Sequence, residues 1–142
     1  MNNINNPNYK RAVMLVALTA LLLHTTMAQE IYSFTVSDRK GNPVSLEQYK
    51  GKVLLIVNTA TGCGFTPQYE PIEKMFEDLH ERGLEVLDFP CNQFAGQAPG
   101  TDEEIHEFCT LKYNTQFEQM KKIDVNGENA APLYTCLKSQ KG

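Results

Sequence analysis

Positive charge is too scarce in this sequence to suit a nucleic-acid partner. Thirteen Lys and Arg stand against 17 Asp and Glu, a net charge of −4, with no basic stripe to neutralise phosphates. Linker composition is also missing: Gly, Pro and Ser are nowhere clustered and no segment repeats, so 142 residues read as one domain. Long apolar runs are lacking except for Ala12 to Leu23, which is short for a membrane span. Cysteine is sparse, at four. What remains, 42% apolar and 21% charged residues, is enough for an ordinary packed core.

The first residues stand apart from that core. Lys10 and Arg11 precede the apolar run, and Thr26-Met27-Ala28 places small residues where a signal peptidase reads them. Residues 1–28 are therefore expected to be a secretory signal, cleaved after Ala28, with an uncleaved N-terminal anchor as the alternative. No cysteine follows that point directly, which speaks against a lipid anchor. The domain expected to fold is 29–142, exported, with a periplasmic location, and with no stable membrane insertion after cleavage. An oxidising compartment allows disulfides among Cys63, Cys91, Cys109 and Cys136. Two structural bridges would have three possible pairings. A chain of this length buries roughly two-thirds of its unfolded surface and does not need them, so redox-active cysteines are an equal possibility.

Chemistry is expected at Asn58-Thr59-Ala60-Thr61-Gly62-Cys63-Gly64-Phe65-Thr66-Pro67. Before it, Val53-Leu54-Leu55-Ile56-Val57 reads as a strand buried on both faces. After it, Ile72, Met75, Phe76 and Leu79 form the apolar stripe of a helix over about 67–82, with Thr66 as N-cap, Pro67 in the first turn and Gly83 as the stop. Glu70 and Glu73 sit near its positive end. Cys63 thus lies on a turn between a strand end and a helix N-terminus, where a thiolate meets free N–H groups. Gly62 and Gly64 strip it of side-chain cover, which favours a reactive thiol over a small buried hydrophobe.

Around this unit the pattern is α/β. Residues 31–36 and 44–46 flank the polar turn Asp38–Asn42 as a hairpin. Leu84-Glu85-Val86-Leu87-Asp88-Phe89 reads as a strand parallel to the first, joined by a right-handed crossover. Cys91 to Gly100 is a loop whose amides are placed to face Cys63 or to serve as a plain polar loop. Thr101-Asp102-Glu103-Glu104 is a capping box opening a helix that carries His106, a solvated position, and Cys109. Met120 to Val125 reads as a short strand and Pro132 to Lys138 as a helical piece.

Val57-Asn58-Thr59-Ala60-Thr61-Gly62-Cys63-Gly64-Phe65-Thr66 resembles the active-site signature of the glutathione peroxidase family. Leu87-Asp88-Phe89-Pro90-Cys91-Asn92-Gln93-Phe94 resembles its second signature, and Lys122 to Gly127 with Pro132-Leu133-Tyr134 a third segment. The resemblance implies a thioredoxin-like fold with an N-terminal β-hairpin. It implies Cys63 as peroxidatic residue, Gln97 as the family's catalytic glutamine and Cys109 as the resolving cysteine of the thioredoxin-dependent branch. No cofactor is implied. Asp88 replaces a small residue and Glu118 a proline, both with small expected effects, and Cys136 looks incidental. The family's catalytic Trp and Asn would lie beyond Gly142, and this sequence has no tryptophan. The C-terminal strands and last helix are therefore expected to be lacking.

The implied function is reduction of hydrogen peroxide or organic hydroperoxides, recycled by a thioredoxin-like donor or glutathione. The alternatives are a peroxide sensor or thiol–disulfide relay, and an inactive fragment. Thr66 stands at the second cysteine position of a would-be Cys-x-x-Cys, which argues against a thioredoxin-type reductase.

Overall fold

The structure is a computed structural model, and residues 31–140 are described. The expected signal segment, residues 1–28, lies outside them. Strands β1 (Thr35–Ser37) and β2 (Pro43–Ser45) form the antiparallel hairpin, with Thr35 opposite Ser45. Asp38 builds its turn by accepting from the Lys40 and Asn42 backbone N–H groups at 2.9 and 2.8 Å. A 3-10 turn, Leu46–Tyr49, leads into β3 (Val53–Thr59). A second 3-10 turn, Thr66–Gln68, opens α1 (Tyr69–Leu79), and a third, His80–Arg82, ends at Gly83 with φ +98°.

Strand β4 (Leu84–Pro90) pairs parallel with β3 from Val53↔Leu84 to Thr59↔Pro90. Helix α2 (Asp102–Tyr113) starts at the expected capping box: Thr101 Oγ1 accepts from the Glu104 N–H, and the Glu104 carboxylate accepts from the Thr101 N–H. Strand β5 (Glu118–Gln119) pairs parallel with β4, and α3 (Pro132–Ser139) closes the described chain.

Three expectations are corrected. The strand expected over 120–125 does not form: the two-residue β5 precedes it, and within it Met120 makes a single antiparallel bridge to Asp38. Beyond it the backbone donors find irregular partners: Lys121 N–H reaches Ser37 O, Lys122 N–H the Asp102 carboxylate, and Ile123 N–H Pro90 O. The strand buried on both faces is β4, not β3. The sheet order is β3-β4-β5, so among the described residues β3 lies at an edge; it is half-buried, and Val53 is 68% exposed. Of the two acids expected near the positive end of α1, only Glu70 lies in its first turn, and Glu73 is turned inward. It is 4% exposed, its carboxylate accepts the Gln116 N–H at 2.9 Å, and burial raises its pKa.

The period-two alternation of β4 builds two apolar layers. Leu87 and Phe89 face Leu46, Met120 and Leu133 on one side. Leu84 and Val86 face Tyr69, Ile105, Cys109 and Phe117 under α1 and α2 on the other. The sheet is thus fixed from both sides, and the carboxyl ends of β3 and β4 are held together at the edge where the Cys63 turn emerges.

Candidate active site

Thr66 organises the Cys63 turn, though not as the helix N-cap expected. Its hydroxyl accepts the Cys63 N–H at 3.0 Å and donates to Ala60 O at 2.8 Å. The α1 end has no side-chain cap; the 3-10 turn with Pro67 serves there instead. One buried threonine therefore ties the strand end, the cysteine and the helix entrance together, and the Thr66 N–H returns to Cys63 O at 3.1 Å. The Phe65 N–H points at Cys63 Sγ from 3.4 Å, a donor placed where negative charge on sulfur would sit. Cys63 itself is half-exposed.

The loop after β4 touches the backbone of this turn through Gln97. Gly62 N–H donates to Gln97 O at 2.7 Å, and a Cβ on Gly62 would lie 3.2 Å from that oxygen. Glycine thus eases the close approach of the two backbones, which a Cβ would push apart by a few tenths of an ångström. Cys63 and Gln97 line the same cavity of about 460 Å³, whose walls include Phe65, Phe94, Thr59 and Tyr69. The other loop amides are structural. Asn92 accepts the Ala98 N–H at 2.9 Å, and Gln93 accepts the Val125 and Asn126 N–H groups, both at 2.8 Å.

Cys109 is not at the cavity. It sits on the inner face of α2, 2% exposed, and burial pushes its thiol up to about 11. The structure therefore brings Cys63 and Gln97 together and sets Cys109 apart in the core, behind Tyr69. None of the four cysteines is in a disulfide; Cys91 and Cys136 are buried. His106 lies half-exposed on α2, and burial lowers its pKa. Among the described residues no cluster of three or more His, Cys, Asp and Glu could hold a metal ion, and no helix is long and apolar enough to cross a membrane.

Two polar residues of the core escaped the sequence reading. Asp88, taken there as a minor departure, is 1% exposed beneath the turn. Tyr69, whose aromatic ring lies in the core, brings its hydroxyl to Asp88 and Thr59. The available signal was Asp88 at a strand position where Leu84 and Val86 point into the core.

Comparison with known proteins agrees with this geometry. A family model described as glutathione peroxidase matches residues 31–138. A glutathione peroxidase homolog of Neisseria meningitidis is 56% identical over 111 residues, covering 78% of this chain and 63% of that protein. Glutathione peroxidase-like peroxiredoxin 2 of Saccharomyces cerevisiae is 51% identical over 115 residues, covering 81% and 71%. The crystal structure of T. cruzi GPX1 is similar at a TM-score of 0.61 and 41% identity, covering 77% of this chain and 65% of that one. The chain spans a little under two-thirds of the length of the Neisseria relative. A cysteine turn at the end of a parallel strand, a facing glutamine loop and a match over nearly all described residues lead to one assignment: the chain belongs to the glutathione peroxidase family and has its thioredoxin-like α/β fold.

Proposed function

We propose that the protein reduces hydroperoxides through Cys63, with Gln97 as its polar partner and Cys109 as the resolving cysteine. The observation that carries this reading is the shared cavity: a half-exposed thiol with a backbone donor aimed at its sulfur, and a glutamine across from it. The Cys63 thiolate attacks the distal peroxide oxygen. A sulfur–oxygen bond forms, the O–O bond breaks, sulfur is oxidised by two electrons, and the departing oxygen leaves as water or an alcohol after taking a proton. In this reading the amide of Gln97, which lines the same cavity, donates to the leaving oxygen.

Resolution follows. The Cys109 thiol attacks the sulfenic acid, the disulfide forms, the S–O bond breaks, and water leaves. Because Cys109 is buried in α2, part of that helix must open first. A thioredoxin-like dithiol, or glutathione, then returns two electrons by thiol–disulfide exchange. The name of the yeast relative, a glutathione peroxidase-like peroxiredoxin, supports peroxide as substrate. The features of residues 1–28 support export to an oxidising compartment such as the periplasm.

The test is one equivalent of hydrogen peroxide on the reduced chain, with thiol loss followed in time and bridges mapped by peptide mass. Fast loss of two thiols and a Cys63–Cys109 bridge is expected. Cys63→Ser abolishes peroxide consumption, and Cys109→Ser allows one turnover without an efficient second. Wild-type peroxide reduction by Cys63→Ser would refute the reading.

A further inference from the structure

Asp88 stands on the face of β4 that carries Leu84 and Val86, inside the apolar layer beneath α1 and α2. Among the described residues no basic side chain forms an ion pair with it. Two hydroxyls surround it instead. Thr59 Oγ1 lies 2.5 Å from Asp88 Oδ1, the Tyr69 hydroxyl lies 2.9 Å from Oδ2, and the two hydroxyl oxygens are 2.6 Å apart. The three groups close a ring of three oxygen–oxygen contacts.

Counting hydrogens shows how the two states of this ring differ. With Asp88 ionised, two hydroxyls supply two hydrogens for three contacts, and one pair of oxygens faces without a donor. With Asp88 protonated, three hydrogens serve three contacts. Burial favours the protonated acid and outweighs the hydrogen bonds from Thr59 and Tyr69, which favour the carboxylate, so that Asp88 is lifted to about 6.

The ring lies between the two cysteines. Thr59 ends β3 just before the Cys63 turn, and Thr59 and Tyr69 both line the Cys63 cavity. On the other side Tyr69 packs in the same buried cluster as Cys109, and its ring is stacked 5.4 Å from Tyr113 and 6.2 Å from Phe117. The titratable groups around Asp88 are Tyr69 from α1, Cys109 from α2 and, in the other apolar layer across the sheet, Tyr134 from α3. Strands β3 and β5 present neutral Thr59 and Gln119. Burial raises Tyr69, Cys109 and Tyr134 well above neutral pH, so Asp88 is the member of this set that changes charge between pH 5 and 8.

We propose that Asp88 is a positioning residue for Cys109: the protonated ring holds Tyr69 and thereby seats the Cys109 thiol in the core, and loss of the ring's proton releases that face of α2. The proposal deepens the two-cysteine cycle and rests on it, since Cys109 can attack only after leaving the core. Its cause is charge burial. Ionised Asp88 is a charge among apolar residues with one contact lacking a hydrogen, and water relieves both once the Cys109 face lifts. The closed acid holds its proton more tightly than a hydrated carboxyl, so opening becomes easier as pH rises from about 4 to about 6 and levels off above that.

The experiment measures alkylation of Cys109 in the reduced full chain at pH 5 and pH 7.5, by peptide mass. Each rate is divided by that of an unfolded Cys109 peptide, which removes the ordinary effect of thiol ionisation. Cys91, 0% exposed, marks global unfolding. Corrected labelling of wild-type Cys109 is expected to be about tenfold faster at pH 7.5, each pKa unit being worth a factor of ten, while Cys91 does not follow. Asp88→Asn, neutral at both pH values, flattens the profile. Tyr69→Phe, which keeps the stacking and removes the link, speeds labelling at pH 5. A flat wild-type profile, or the wild-type ratio retained in Asp88→Asn, overturns the proposal. Bridge mapping after peroxide on the same samples separates the two ideas. Labelling gated by pH without a Cys63–Cys109 bridge refutes the cycle and upholds the hold on Cys109; a bridge with ungated labelling refutes the hold alone.

Discussion

At the scale of single residues, the site depends on backbone proximity as much as on the sulfur. Gly62 touches the Gln97 carbonyl, and that contact sets how far the glutamine loop stands from the Cys63 turn. Gly62→Ala puts a methyl 3.2 Å from a backbone oxygen that is hydrogen-bonded to the same residue, so loop or turn must shift. The expected outcome is a loss of about 1 kcal/mol of stability together with at least tenfold slower oxidation of Cys63. Stopped-flow peroxide reduction and denaturant unfolding check the two effects. Unchanged oxidation would mean that Gln97 need not be held at that distance. Thr66 and Glu73 teach the same lesson in reverse: residue types suited to a helix start are used here to fasten the turn and to cap a distant loop.

At the scale of elements, α2 is the piece whose stability bears on chemistry. Its fully buried residues are Ile105 and Cys109, and its start depends on the Thr101–Glu104 capping box. Thr101→Ala removes the side-chain acceptor for the Glu104 N–H and costs about 1 kcal/mol. If Cys109 leaves the core by opening of α2, the same change makes it label several-fold faster while Cys91 stays protected. Equal labelling would show that Cys109 emerges by some motion other than unwinding from the N-terminus. β4 is the opposite kind of element. It pairs with both β3 and β5 and contributes to both apolar layers, so in the proposed cycle it is the fixed frame from which α2 would open.

For the whole molecule, the two layers divide the labour. The layer formed by the hairpin, α3 and the odd-numbered residues of β4 contains neither Cys63 nor Cys109, whereas the layer under α1 and α2 contains Cys109 and adjoins the cavity. Leu133→Ala, at a position 1% exposed in the first layer, should therefore lower global stability by about 3 kcal/mol. The rate of the first thiol oxidation in the folded protein should stay within twofold. Thermal unfolding and single-turnover oxidation measure the two quantities. A large loss of oxidation rate in folded Leu133→Ala would show that the layers are coupled.

Much of this was legible in the chain itself. The apolar stripe of α1, the Gly83 stop, the capping box of α2 and the Asp38–Asn42 turn are local signals, each written within a few residues, and each formed as read. Cys63 between two glycines at a strand end needed no more than its neighbours. The sequence could not say which strand is central, because a run such as Val53–Val57 looks alike at a sheet edge and in its middle. Nor could it say that Asp88 meets Thr59 and Tyr69, or that Cys109 lies behind Tyr69 rather than at the cavity. Those relations join residues far apart in the chain, and only the crossover between β3 and β4, with two helices laid over it, decides which side chains share the buried layer.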